Sequence, residues 1–380
     1  MQGLDPNFRA DVSRSISVFG PINDELVNSL APEILRLRSA SRLPITVLIN
    51  SNGGSTSCAD FIKQLLATPD AAGNVPRIIT VAVGNAKSAA ANLLALGNYA
   101  IAYPDSAIHF HGVRYGEVEN VTMERASTIF SNLENANRIT AGHLARAGAE
   151  RLAFHYARLK SEFSPTPAEG DHKSTLPEIE KFALRLAKEL SSPGKRLVQK
   201  ALDRWRSLRA LSDATAKFLP DFRTSDLKSQ IKFLVELVKF EHKRNKKSGW
   251  TLQNGILQVT SDFTLLQEYH FEHLNSLLWN IISRYSPHFF EPAEVEILDK
   301  LFETKDPTFT SQPILDKIVL IIKPFCFFAD SIWRSLQINE NPLTPADAYW
   351  LGAIDEVTGS QLPCLRMIAE SNMEQGKLPI

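Results

Sequence analysis

Ser88 is the residue of this sequence best suited to act as a nucleophile. It lies within GNAKSAAANLLALG (residues 84–97), where an apolar strand-like run ends and an alanine-rich helical run begins. A serine at such a turn has its hydroxyl directed toward solvent, and the first N–H groups of the following helix favour negative charge beside it. The same position also suits a serine that only caps the helix, which is the commonest role of a serine there.

Two other segments supply residue types that complete a hydrolytic site. Residues 49–54 read INSNGG, and residues 104–112 read PDSAIHFHG with His109 and His111. Acyl transfer needs a nucleophile, a base that takes its proton, and N–H groups directed at the developing oxyanion. The glycine pair could equally be an ordinary turn, because glycine is the default where the backbone needs a positive φ. We expect the two histidine rings to diverge, with only one of them directed at the site.

The order and spacing of these segments resemble the proteolytic subunit of the Clp protease, a ClpP-like serine peptidase. That family's nucleophile lies in a motif of the form G-x-A-x-S-x-x-A-x-L-L-A-x-G, which is matched here by Gly84, Ala86, Ser88, Ala91, Leu93, Leu94, Ala95 and Gly97. The resemblance implies that Ser88 is the nucleophile and that His111, seven residues after Pro104, is the general base. It makes His109 the spare histidine. It also implies an oxyanion hole formed by the N–H groups of Gly54 and Ala89.

The third member of the triad departs from the family pattern. The resemblance places it four residues before the helix-capping Thr344, and that position holds Glu340 instead of an aspartate. A glutamate can orient a histidine, although its extra methylene requires a different backbone position. A solvated loop carboxylate is the alternative interpretation. Asp347 is explained by the first turn of the helix that Thr344 caps, and Asp355 matches a structural position of the family.

Composition and charge are those of a soluble enzyme. The 380 residues suffice for two domains. Equal numbers of acidic and basic residues, 42 of each, argue against a nucleic-acid partner. A basic cluster at 242–247 is attributed to the end of a helix, with nucleic-acid contact as the alternative. The three cysteines have no close pairing and the start of the chain has no signal-like apolar run, which predicts a cytoplasmic protein. The apolar run 314–329 contains charged residues, so no membrane span is predicted.

The first part of the chain alternates strands and helices. Strands are predicted at 16–19, 45–50, 78–83, 100–103 and 107–111, and Asn23 is predicted to cap a helix with Val27, Leu30, Ile34 and Leu37 on one side. This pattern predicts an α/β fold with a mostly parallel sheet covered on both faces. The resemblance implies the ClpP/crotonase-like β-α-β superhelical fold, with a long helix over about 121–159 through which two rings meet.

The resemblance stops near residue 160 and resumes near residue 337. We expect a ClpP-like domain formed by 1–160 and 337–380, with an inserted all-α domain of unknown role at 161–336 that begins in a proline-rich linker at 164–177. Helical stretches are predicted at 176–190, 227–240, 263–282 and 314–332, with a break at SGWTLQNG (248–255). His270 and His273 share a helical face, but the second half of a bundle metal site is missing. Aromatic packing explains them better, and no metal or cofactor is expected.

The leading hypothesis from the sequence is a serine endopeptidase that acts on peptides or unfolded proteins. A single subunit of the implied fold leaves strands and helix surfaces uncovered, so a homo-oligomeric ring is expected. The resemblance implies an AAA+ unfoldase as a partner. Two other readings stay open: a catalytically inactive scaffold, which the departure at Glu340 favours, and a crotonase-like acyl-CoA enzyme, which would not need the pair Ser88 and His111.

Overall fold

A computed structural model of the 380-residue chain describes residues 11–69, 73, 75–114, 122–163, 178–218, 250–253, 256–259, 289–290, 292–297, 321–338 and 341–364. These ranges hold a parallel sheet, the helices that cover one of its faces, and a group of longer helices beside them. The basic cluster at 242–247, the pair His270 and His273, and Glu340 lie outside the described residues.

The strands occur in chain order as β1 (Ser15–Phe19), β2 (Ile45–Ser51), β3 (Ile78–Lys87), β4 (Tyr99–Ala102), β5 (Ala107–His109), β6 (Trp250–Gln253), β7 (Ile256–Val259) and β8 (Glu356–Val357). One sheet has the order β1-β2-β3-β4-β8, with β5 paired to the end of β3, and all of these pairings are parallel. The predicted α/β architecture is confirmed. β3 runs four residues beyond the predicted end at Val83, because Asn85, Ala86 and Lys87 pair with β5.

Helices α1 (Asp24–Ala40), α2 (Thr56–Ala67) and α3 (Ala89–Ala95) follow β1, β2 and β3. Local capping explains where the first two begin: the side chain of Asn23 accepts the N–H of Leu26, and that of Ser55 accepts the N–H of Cys58. The buried side of α1 consists of Val27, Leu30, Ile34 and Leu37, as predicted. These helices bury one face of the sheet.

Among the described residues, only a few cover the opposite face of the sheet. A small apolar cluster lies there, formed by Ile79, Val81, Tyr99 and Ile101, against which Leu48 and Cys364 pack. On the same face, Phe19 of β1, Val83 of β3 and Tyr103 just after β4 are 49%, 37% and 47% exposed. The expectation of a sheet covered on both faces is therefore only half met by the described residues.

Helix α4 (Met123–Phe163) is a single helix of 41 residues over nearly the predicted range. Its second half is largely buried, whereas the half before about residue 141 is mostly exposed, with Met123 84% and Phe130 66% exposed. One helix thus belongs to the core at one end and offers apolar surface at the other.

The described helices of the inserted region are α5 (Glu178–Glu189), α6 (Ser192–Phe218) and α7 (Lys323–Gln337). Helices α5 and α7 pack against α4, and α6 packs against both of them. Tyr156 of α4 stacks on Phe289 with ring centroids 5.0 Å apart, and its edge contact with Phe182 of α5 spans 5.5 Å. Buried residues of all three helices belong to the same apolar cluster as the helix-covered face of the sheet. The helices of the insert therefore share a core with the sheet.

Strands β6 and β7 form an antiparallel hairpin within the insert, with Trp250 opposite Val259. The prediction for this segment, a break in an all-α insert, is incomplete, because Asn254-Gly255 is a strong hairpin-turn signal. The described part of the insert is thus mainly helical, with one short hairpin.

The chain returns to the sheet through α8 (Pro345–Trp350) and β8. Thr344 caps α8 as predicted, because its hydroxyl oxygen accepts the N–H of Asp347 at 3.1 Å. His155 of α4 lies buried between the rings of Tyr349 and Trp350. Burial lowers the pKa of His155 to about 4, so the ring is neutral at pH 7 and its Nε2 can donate to the Tyr349 carbonyl 2.8 Å away.

A buried ion pair joins α4 to the segment that follows α8. Arg151 Nη2 lies 2.8 Å from Asp355 Oδ2, and the two side chains are 3% and 2% exposed. Asp355 Oδ2 also accepts the N–H of Ala100 at 2.7 Å. Arg151 donates to the carbonyls of Ala95 and Gly97 at 2.9 Å each, which are orphan acceptors at the end of α3. One guanidinium therefore holds α3, α4 and the last strand together.

Within the part of the chain that the structure describes, none of the helices combines the length and the apolar composition needed to cross a bilayer. The same residues contain no group of three or more His, Cys, Asp or Glu side chains arranged to hold a metal ion.

Candidate active site

Ser88 lies between β3 and α3 in a backbone conformation that is unusual for serine. Its φ is +56° and its ψ −127°, and among the described residues it is the single non-glycine residue with a positive φ. Such a conformation costs free energy and persists only where the surrounding structure enforces it, as at a nucleophile turn between strand and helix. The Ser88 side chain makes no capping hydrogen bond. The observed geometry therefore does not support the simple helix-cap interpretation.

The backbone around Ser88 is fixed from both sides. Its N–H donates to the carbonyl of His109 at 2.7 Å, and its carbonyl accepts the N–H of Asn92 at 3.2 Å as the first bond of α3. The turn is thus held by the neighbouring strand β5 and by the helix itself, while Ser88 remains half-exposed.

The glycine turn that follows β2 lies directly against Ser88. A Cβ built on Gly53 would lie 2.5 Å from Ser88 Cβ and 2.6 Å from the Lys87 carbonyl oxygen, distances that real Cβ atoms do not show. Gly53 also has φ +96°, which disfavours any side chain. Glycine is needed at this position for its conformation and for the approach to Ser88, so the turn is more than an ordinary loop.

Gly54 and Ala89 each keep an N–H group that secondary structure does not use. Gly54 forms a parallel bridge with Ile22, in which the Gly53 carbonyl accepts the Ile22 N–H at 2.9 Å and the Ser55 N–H donates to the Ile22 carbonyl at 2.8 Å. That pattern leaves the N–H of Gly54 on the other side of the strand. Ala89 is the first residue of α3, so its N–H has no acceptor within the helix. Both donors belong to segments that meet at Ser88.

His111 follows the strand that pairs next to the nucleophile turn. In the parallel register Lys87, the residue before Ser88, is opposite His109. His111 therefore lies two residues beyond the strand position that pairs with Lys87. The two histidine rings do not diverge as expected: residues two apart on an extended chain point to the same side, and the ring centroids lie 5.5 Å apart. His111 is half-buried, and its Nδ1 lies 2.7 Å from the carbonyl oxygen of Gly112.

Two carboxylates near the end of the described chain have other partners. Asp347 accepts the N–H of Ser191 at 2.8 Å and is bonded to the Ser191 hydroxyl, and Asp355 is paired with Arg151. The sequence analysis excluded both from the triad. Glu340 is outside the described residues, but Leu343 forms an antiparallel bridge with Ile108 of β5, donating its N–H to the Ile108 carbonyl at 2.6 Å. The segment after Glu340 therefore runs beside the strand that leads to His111.

Sequence reasoning missed two residues that surround the histidine segment. Asn137 of α4 accepts the N–H of Val113 through its side-chain Oδ1 at 2.5 Å. Trp333 of α7 makes an edge contact with Phe110, with ring centroids 5.3 Å apart and both side chains fully buried. Neither contact has a local sequence signal, because each joins positions far apart in the chain.

The first part of the chain is similar to a family of known proteins. Residues 4–147 match the family model described as Clp protease. The chain is similar to proteolytic subunit 2 of the ATP-dependent Clp protease of Gluconobacter oxydans, with 30% identity over 134 residues that cover 34% of this chain and 58% of that protein.

Two further relatives are similar over a shorter stretch. They are the proteolytic subunits 3 of the ATP-dependent Clp proteases of Rhizobium johnstonii and Rhizobium etli, each 37% identical over 54 residues that cover 14% of this chain and 28% of that protein. The chain thus spans little more than half the length of the first relative and less of the other two. The family match ends before the inserted helices begin.

Proposed function

We propose that this chain is a serine peptidase that hydrolyses peptide bonds of peptides or unfolded proteins, because residues 4–147 match the Clp protease family model. The observation that carries the proposal is the enforced conformation of Ser88, with φ +56° and Gly53 packed against it. A serine that only capped α3 would need neither the positive φ nor the close glycine. A half-exposed serine on a strained turn, next to segments with unused N–H groups, is an arrangement that suits acyl transfer.

The proposed reaction assigns one role to each residue of the site. Ser88 Oγ attacks the scissile carbonyl carbon while the His111 imidazole takes the hydroxyl proton, and the N–H groups of Gly54 and Ala89 stabilise the oxyanion. His111 then gives the proton to the leaving amine, which breaks the C–N bond and leaves an acyl-enzyme. Water, deprotonated by His111, hydrolyses the ester and restores Ser88.

Glu340 is the proposed third member of the triad, as the carboxylate that stabilises the imidazolium form of His111. The bridge between Ile108 and Leu343 supports this role. Partners in an antiparallel pair advance in opposite directions. Counting three residues outward from the bridge therefore leads to His111 on one strand and to Glu340 on the other.

A fluorescent organophosphonate probe tests the proposed nucleophile. The full-length protein is expected to be labelled on one residue, and Ser88→Ala is expected to abolish labelling because the phosphonate ester forms only on an activated hydroxyl. Ser39→Ala, at an exposed position on α1, serves as the matched control and should label like the natural protein. Glu340→Gln should label more slowly if its carboxylate stabilises the imidazolium.

A well-folded protein that stays unlabelled would contradict the peptidase proposal and favour the inactive scaffold. Labelling that persists in Ser88→Ala would contradict the choice of nucleophile. The position of the label by peptide mass spectrometry separates these outcomes.

Assembly into a homo-oligomeric ring, served by an AAA+ unfoldase, completes the proposal. Apolar side chains are exposed on the first half of α4, at Met123 and Phe130, and on the open sheet face, at Phe19, Val83 and Tyr103. Exposed apolar surface of this kind is typical of protein contacts. We expect sedimentation at micromolar concentration to give a species several times heavier than the 42.3 kDa chain, and a monomer alone would contradict the ring.

A further inference from the structure

Asn137 of α4 contacts the residues immediately after His111. Its Oδ1 accepts the N–H of Val113 at 2.5 Å. A Cβ on Gly112 would lie 2.9 Å from Asn137 Nδ2 and 3.0 Å from Oδ1, so the amide occupies the space that a side chain at position 112 would need. The absence of a side chain at Gly112 is what lets α4 reach this backbone.

The hydrogen bond from Val113 fixes the orientation of a whole peptide unit. The Val113 N–H and the Gly112 carbonyl belong to one planar peptide, and no peptide bond in the described chain is cis. In a trans peptide the N–H and the C=O point in opposite directions. Asn137, by holding the N–H on the side of α4, therefore directs the Gly112 carbonyl away from that helix.

The Gly112 carbonyl meets the ring of the preceding residue. Its oxygen lies 2.7 Å from His111 Nδ1. A carbonyl oxygen only accepts, so in the neutral ring Nδ1 carries the proton and Nε2 keeps its lone pair. An N–H that is itself hydrogen-bonded also polarises its peptide and strengthens the carbonyl as an acceptor. The contact therefore selects the tautomer that a general base needs.

From these contacts we propose that Asn137 is a positioning residue for His111, acting through the peptide between Gly112 and Val113. It fixes the tautomer with Nε2 free to take the Ser88 proton. A carboxylate in the triad is then not needed to set the tautomer, and its remaining role is to stabilise the positive charge of the imidazolium. The effect of Asn137 on catalysis rests on the proposed function, whereas its effect on the tautomer of His111 does not.

The first measurement reads the tautomer directly. Long-range ¹H–¹⁵N NMR spectra of the full chain labelled with ¹⁵N-histidine contain only nine imidazoles, and His111→Gln assigns the signal of His111. The natural protein is expected to show His111 protonated on Nδ1 at pH 8. Asn137→Leu, similar in size but unable to accept a hydrogen bond, is expected to shift that ring toward protonation on Nε2.

The second measurement is the rate of organophosphonate labelling. Asn137→Leu is expected to slow labelling of Ser88 by roughly 10- to 100-fold, a part of the contribution that a positioned base makes. Asn137→Asp keeps the acceptor oxygen, so it should keep the tautomer and recover most of the rate. Asn132→Leu, at an exposed position on the same helix, should change neither readout.

The two measurements separate failure of this inference from failure of the proposed function. Loss of the Nδ1-protonated signal in Asn137→Leu supports the positioning role even if the natural protein is never labelled. An unchanged tautomer in folded Asn137→Leu overturns it even if Ser88 is labelled normally. If Asn137→Leu does not fold, Asn137→Ala, which also lacks the acceptor oxygen, is measured in its place, and an unchanged tautomer in that variant also overturns the proposal.

Discussion

Asp355→Asn is expected to lower the free energy of unfolding by about 3 to 5 kcal/mol, since it leaves the Arg151 guanidinium buried without a counter-charge. The Arg151 side chain is 3% exposed, so water cannot replace the lost carboxylate. Asparagine nearly preserves the shape of the residue and can still accept the Ala100 N–H, so the loss is mainly one of charge. Urea unfolding followed by circular dichroism measures the effect.

The exposed ion pair of α1 provides the control for this prediction. Glu33 lies 2.5 Å from Arg36 on the surface, and exposed pairs contribute little to stability. Glu33→Gln should leave the unfolding midpoint almost unchanged. A midpoint for Asp355→Asn as high as that of Glu33→Gln would show that the buried pair is not a significant source of stability.

Gly53→Ala is expected to slow the labelling of Ser88 by roughly 100-fold or more, because a displacement of about 1 Å at a reacting group costs that much. The new methyl group would meet Ser88 Cβ at 2.5 Å and the Lys87 carbonyl at 2.6 Å. Lys87 and Ser88 are both held by β5, so the methyl group must push the glycine turn and Ser88 apart. The second-order labelling rate measures the change.

Gly20→Ala separates this steric effect from backbone strain. Gly20 has a similar φ of +76°, but a Cβ there would meet nothing within 4 Å. The free energy of unfolding of Gly20→Ala should fall by about 1 to 2 kcal/mol, because alanine is disfavoured in a left-handed conformation. Its labelling rate should stay unchanged. Equal rates for the two variants would contradict the steric argument.

Elements whose signals are local were predictable from the sequence. Asn23 and the four buried positions of α1 follow from a capping residue and a helical period. The parallel sheet follows from apolar strands separated by helices. The end of β3 was not predictable in the same way, because its last residues are strand only through pairing with β5.

The candidate site likewise has features that a local sequence signal predicts and contacts that no such signal predicts. The motif around Ser88 indicates a nucleophile turn, and the structure has the strained φ that such a turn requires. Three contacts join residues that lie 24 to 204 positions apart in the chain. They are the contact of Gly53 with Ser88, the hydrogen bond from Val113 to Asn137 and the ion pair of Arg151 with Asp355. No periodicity or local motif records such contacts. Spacing alone could therefore identify the candidate reacting groups but not the residues that hold them.

The edge contact of Trp333 with Phe110 has a consequence for how this chain could be shortened. Helix α7 belongs to the extra sequence, yet its indole fills space beneath the residue that precedes His111. Gly148 on α4 has no room even for a methyl group, since a Cβ there would lie 2.2 Å from Trp333 Nε1. Excision of residues 161–336 would leave a void the size of a tryptophan beneath Phe110, next to His111. A minimal version of this protein must keep α7 or refill that volume.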